Sequence, residues 1–126
     1  VMGLISSILG HASEVDAEKL EQEFEGLLVP GENIKCAFHL FRDLTVFTNL
    51  RLILVDKQGL TGKKREYVCI PYKSVDYFSI ETAGRLDMDS EIKIWVKSRP
   101  DPIEMEFKRG GNILEVFRAL SENCLK

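Results

Sequence analysis

A few short constellations in this chain have residue types that could do chemistry, and each has spacing requirements. Cys36-Ala37-Phe38-His39 has the C-x-x-H spacing of half a zinc site. On an extended strand, residues three apart point to opposite faces, so thiol and imidazole would diverge. Zinc usually takes four ligands, and the sequence holds no second pair. No metal or other cofactor is expected, and Cys36 reads as a packed thiol. A nucleophile–histidine–acid arrangement would need His11 or His39, the 2 histidines of the chain. His11 has no sequence neighbour to make it a base, and His39 shares a strand face with Ala37 and Phe41. No spacing supports a carboxylate pair either, so the sequence points to no catalytic residue and to a non-enzymatic chain.

Two loops imitate ligand-binding motifs and fail on spacing. Gly59-Leu60-Thr61-Gly62-Lys63-Lys64 has two residues between its glycines where a phosphate loop needs four, and Lys64 stands where Ser or Thr is required. Lys63, Lys64 and Arg65 then read as a basic hairpin loop, the candidate contact for an anion or an acidic partner. Asp87, Asp89 and Glu91 are spaced as a calcium loop begins. The sixth position is Ile92 rather than glycine, and no glutamate occupies the twelfth.

The elements that would position these residues follow from hydrophobic period. Leu4, Ile5, Ile8 and Leu9 share one helical face. A second helix is expected after Ser13, which can cap it with Asp16 three residues on. Leu20, Phe24, Leu27 and Leu28 form its buried stripe, and Gly26 and Pro30-Gly31 end it. From Ile34 the period becomes two. Strands are expected at 34–41, 44–48, 51–55, 66–70 and 75–80, with Asn49 suited to a left-handed turn conformation and Pro71 marking a strand end. In the last two strands Ile92, Ile94 and Val96 oppose Lys93, Trp95 and Lys97, and Ile103, Met105 and Phe107 oppose Glu104, Glu106 and Lys108. If these strands pair, Lys97 meets Glu104 or Glu106 on a wet outer face. Asn112 caps a final helix whose apolar face carries Ile113, Phe117, Leu120 and Cys124, broadened by Leu114 and Val116.

The bulk properties fit such a fold. The chain has 126 residues, 44% hydrophobic and 29% charged, the balance of one soluble globular domain. With 17 Lys and Arg against 20 Asp and Glu, the net charge is −3, which excludes the overall basic field that drives nucleic-acid binding. Its 3 cysteines are scattered and odd in number, which fits a reducing, cytoplasmic setting rather than a disulfide framework. No apolar stretch reaches the roughly 18 residues of a membrane span, and the N-terminus lacks the basic flank of a signal peptide.

Seven antiparallel strands followed by one amphipathic helix resemble a pleckstrin-homology-like (PH-like) domain. Three segments sharpen the likeness toward the bacterial PH-like family: Thr48-Asn49-Leu50-Arg51-Leu52-Ile53-Leu54-Val55-Asp56, Ile70-Pro71-Tyr72-Lys73-Ser74-Val75 and Phe78-Ser79-Ile80-Glu81-Thr82. The resemblance implies a mainly β barrel with α, two near-orthogonal sheets capped by the C-terminal helix, over residues 31–126, preceded by an N-terminal helical extension over 1–30. It also implies a non-catalytic module, often of unknown physiological role, that assembles into ring-like homo-oligomers. Phosphoinositide binding does not carry over, because the loop between the first two strands is only Arg42-Asp43. The apolar stripes of the N-terminal helices must dock on the outside of the barrel or on another copy, so Leu4, Ile5, Ile8, Leu9, Leu20 and Phe24 are the candidate oligomer contacts. An unknown protein partner remains open. The alternative is a peripheral membrane module using the Leu4–Leu9 face and the Lys63–Arg65 loop as weak anchors.

Overall fold

The computed structural model of the chain describes residues 13–40, 43–58, 64–84, 89–108 and 113–125. The elements run β1 (Ser13–Glu14), α1 (Ala17–Glu23), β2 (Ile34–Leu40), β3 (Asp43–Thr48), β4 (Arg51–Gln58), β5 (Lys64–Pro71), a 3-10 turn (Tyr72–Ser74), β6 (Val75–Thr82), β7 (Ser90–Val96), β8 (Ile103–Phe107) and α2 (Ile113–Cys124). Two antiparallel sheets result, in the orders β1-β2-β3-β4-β5 and β6-β7-β8. The seven expected strands are present, and β5 ends at Pro71, which has no N–H to continue a ladder. Helix α2 closes the barrel. Its Ile113, Val116, Ala119 and Leu120 join Phe38, Phe47 and Leu52 of the first sheet and Ile92, Ile94 and Met105 of the second in the main core.

The first sheet is dry on both faces through β3 and β4, which explains their apolar runs, while β5 is largely exposed. Its inner face feeds the main core. Its outer face presents Ala37, Leu44, Val46, Ile53 and Val55 to Leu20 of α1 and to Phe24, the residue that caps its C-terminus, in a second buried cluster. Phe24 also meets Tyr67 edge-on, with ring centroids 5.8 Å apart. Leu20 and Phe24 are each 3% exposed, so these two candidate oligomer contacts are used within the chain and offer no surface to another copy.

Several local expectations need correction. Ser13 does not cap α1. It is extended and pairs with His39, where the edge of β2 offers ladder partners. Asp16 is the cap, accepting the Glu18 N–H at 3.0 Å. The helix stops at Glu23, and Gly26 at φ +92° provides the left-handed residue that turns the chain away. Leu27 therefore falls beyond the helical stripe and is 47% exposed. Leu114 also faces out, leaving Val116 to widen the buried face of α2. In the second sheet the register sets Lys93, not Lys97, opposite Glu104, with Lys93 Nζ 3.7 Å from Glu91 and 4.0 Å from Glu104. Asn112 lies outside the described residues.

A buried ionic cluster ties the segment after α1 to the barrel. The Glu32 side chain is fully buried, and Arg51 grips it with two charge-assisted hydrogen bonds, Nε to Oε2 and Nη2 to Oε1, both 2.9 Å. The Thr48 hydroxyl donates to Oε2 at 2.7 Å, and the Val29 N–H donates to Oε1 at 3.0 Å. Thr48 Oγ1 also accepts the Leu50 and Arg51 N–H groups, closing the β3–β4 turn. Arg51 Nη2 donates to the Leu27 carbonyl at 2.9 Å, and the buried Tyr72 hydroxyl donates to the Thr48 carbonyl at 2.7 Å. Asn49 adds a clamp, its side chain bonding Asn33 N–H and Gly31 C=O. It does this without the expected left-handed conformation; among the described residues other than glycine only Ser98 has positive φ.

Burial, the largest influence, would raise the Glu32 carboxyl. The hydrogen bonds from Arg51, Thr48 and Val29, with the Arg51 charge, outweigh it and hold the group below its ordinary 4.5. The unfolded chain therefore binds the proton first as pH falls, and folding loses this contribution below about pH 4.5. Glu32→Gln should cost about 2 kcal/mol at neutral pH. The gap between its denaturant-unfolding curve and that of the unmodified protein should narrow as the pH falls below about 4.5. Phe24→Ala should cost about 3 kcal/mol by the same measurement, since α1 shares a core with the sheet; a loosely attached helix would give almost no change.

Candidate functional site

The sequence candidates do not converge on one place. Lys63, Leu4, Ile5, Ile8 and Leu9 lie outside the described residues. Lys64 and Arg65 belong to strand β5 rather than to a loop, because pairing extends to Gln58↔Lys64 and Lys57↔Arg65. Arg65 lines a cleft of about 370 Å³ against α1, where Asp16, Lys19 and Glu23 are neighbours and His39 contributes to the wall. Its surroundings are of mixed charge, unlike the bare cationic tip expected from the sequence. Cys36 turns into the main core while Ala37 on the next position faces the second cluster and His39 lines the outer cleft. The thiol and imidazole therefore lie on opposite faces, as strand alternation requires. Among the described residues no group of three or more His, Cys, Asp or Glu could hold a metal ion.

The surfaces that stand out were not singled out by sequence motifs. Strand β5 is the last strand of its sheet and has no further neighbour among the described strands. Its outward residues Tyr67 and Cys69 are exposed, and Arg51 Nη1 reaches Cys69 Sγ at 3.5 Å. Leu27 and Val29, nearly half exposed, adjoin this margin through the Arg51–Leu27 and Val29–Glu32 bonds. The margin thus combines an open strand edge with apolar side chains.

The second sheet presents a different surface. Tyr77 and Trp95 are cross-strand partners, and their rings stack with centroids 4.5 Å apart and an interplanar angle of 15°. Tyr77 is 55% exposed. The alternation of β7 already turned Trp95 outward, but its partner depends on a β-bulge between Val75 and Tyr77, which period counting does not reveal. Further along, Glu81, Glu91 and Glu106 occupy directly opposed positions on three adjacent strands. A cleft of about 280 Å³ has the carboxylates of Asp43, Asp56, Glu66 and Glu104 and the Arg99 guanidinium around an apolar wall that includes Leu54 and Ile103. The described surface offers edges, stacked rings and charge, the materials of recognition.

Comparison with known proteins agrees with the architecture. Residues 3–124 match the family described as Bacterial PH domain. The chain is 47% identical to Uncharacterized protein YjqA of Bacillus subtilis (strain 168), over 98% of this chain and 100% of that one. Among solved structures, a DUF1696 family protein with a pleckstrin-homology domain from Shewanella loihica PV-4 is 41% identical. It covers 91% of this chain and 98% of its own, with a TM-score of 0.78. A pleckstrin homology domain from Shewanella amazonensis SB2B is 43% identical over 98% of this chain and 100% of its own, with a TM-score of 0.66. The two sheets, the closing helix and a family match that runs across almost the whole sequence lead to one assignment: the chain belongs to the bacterial PH domain family.

Proposed function

We propose that this chain is a non-enzymatic binding or scaffold module that self-associates into a ring-like homo-oligomer. The observation that carries the reading is the β5 margin. An unneighboured strand edge bordered by exposed Tyr67, Leu27 and Val29 leaves ladder groups and apolar surface for a second chain to cover. Contact between this margin and a different face of the next copy is heterologous, and repetition of such a contact closes a ring when the rotation allows it. All three cysteines are thiols, which supports the cytoplasmic setting.

The peripheral membrane alternative has less support. Arg65 lies beside Asp16 and Glu23 rather than on an isolated cationic tip. Multi-angle light scattering on the intact chain should give a mass several times that of the 14.4 kDa protomer. Tyr67→Lys should shift that mass toward the protomer while the thermal transition stays within a few degrees, since Tyr67 is 40% exposed. A protomer mass for the unmodified chain at micromolar concentration would defeat the proposal.

A further inference from the structure

Strand β5 closes the order of the first sheet and β6 opens that of the second, and neither has a further neighbour among the described strands. The two edges are equal in length, 8 residues each. Consecutive strands usually pair, but the 3-10 turn at Tyr72–Ser74 diverts β6 into the other sheet. Both edges therefore keep the ladder groups of a hairpin that the fold does not make. Laid antiparallel with Lys64 against Thr82, the two strands complement each other. Arg65 falls opposite Glu81, Tyr67 opposite Ser79 and Cys69 opposite Tyr77, all on the outer faces. Val68 falls opposite Phe78, and both of these pack toward the main core. No like charges are opposed in this register. Trp95 stacks on one face of the Tyr77 ring at an interplanar angle of 15°, so the other face looks out past the β6 edge, where Tyr77 is 55% exposed.

We infer that the β5 edge of one copy pairs antiparallel with the β6 edge of the next, setting Arg65 against the neighbour's Glu81. The inference rests on the self-association proposed above and names the face that receives the β5 margin. The contact joins the first sheet of one copy to the second sheet of another through ladder hydrogen bonds, as when an added strand extends an exposed edge. Within its own chain Glu81 is opposed by Glu91, a repelling pair, and the neighbour's Arg65 supplies the missing opposite charge. Tyr67 and Cys69 cover the open face of Tyr77, so the aromatic ladder continues across the contact. Val68 against Phe78 pairs a β-branched side chain with a ring, a favourable cross-strand combination. Each copy has one edge of either kind, so a single contact leaves a free β6 on one side and a free β5 on the other. The contact is therefore heterologous and propagates from copy to copy.

The test is a charge exchange on the full chain, read by light scattering over a dilution series. The concentration at which the assembly half-dissociates should rise about tenfold in Arg65→Glu and in Glu81→Arg, because each turns an attractive cross-strand pair into a repelling one. Mixing the two variants in equal amounts, or placing both substitutions in one chain, should return it to the unmodified value, since either arrangement restores opposite charges at every contact. A folding defect in one variant would not be rescued in this way. Glu81→Arg should also melt at or above the temperature of the unmodified protein, because it faces Glu91 within its own chain. An oligomer that neither single substitution weakens, or that the exchange does not restore, overturns this pairing while self-association stands. A protomer mass for the unmodified chain overturns both.

Discussion

A carboxylate with no solvent access has to be compensated on every side, and Glu32 organises this molecule for that reason. Its two oxygens receive the Arg51 fork, the Thr48 hydroxyl and the Val29 N–H. The donors come from two segments that would otherwise be independent, the chain leaving α1 and the β3–β4 hairpin. An isolated buried charge costs several kcal/mol, roughly, even after relaxation, so the arrangement is stable only when all the donors arrive together. That requirement makes the network a positional constraint more than a source of net stability. It fixes where the chain enters β2, and Arg51 carries the constraint to the Leu27 carbonyl and to Cys69 on β5.

The same constraint explains why the middle of the first sheet, β3 and β4, can be buried on both faces. With the 27–33 segment held against the β3–β4 turn, α1 has little freedom but to lie across β2, β3 and β4, and Leu20 and Phe24 then seal the outer cluster. The α1 stripe is consumed internally. What remains for recognition is the far margin of β5, where α1 coverage ends at the Phe24–Tyr67 contact, and the outside of the second sheet, which no described element covers.

Much of the architecture was legible because period and punctuation agree. Alternation at Ile92, Ile94 and Val96 gives β7 its inward face, Pro71 ends β5, and the 113–124 stripe predicts α2. The Cys36–His39 divergence follows from strand geometry alone. Legibility fails where tertiary contact decides between local options. Ser13 and Asp16 are both competent caps, and only the pairing of Ser13 with His39 and of Glu14 with Phe38 makes Ser13 a strand residue. Leu27 continues a helical stripe on paper, but Gly26 turns the backbone first. Lys64 and Arg65 look like loop residues until the length of the β4–β5 ladder is known. Glu32 and Arg51 are 19 residues apart, and no spacing rule joins them.

The two sheets solve opposite problems with the same strand chemistry. The first gives up its outer face to α1, so a substitution there acts through stability before it can act through binding. The second keeps one face wet, and residues on that face can change with little effect on the core formed by Ile92, Ile94, Met105 and Phe107. A surface under no packing constraint would be expected to disperse its charges, since opposed carboxylates repel. Glu81, Glu91 and Glu106 are aligned instead, while Ser90, one position before Glu91, turns to the buried face with Ile92 and Ile94. The alignment is tolerated because that face is open to solvent, where water screens the carboxylates and Lys93 lies 3.7 Å from Glu91.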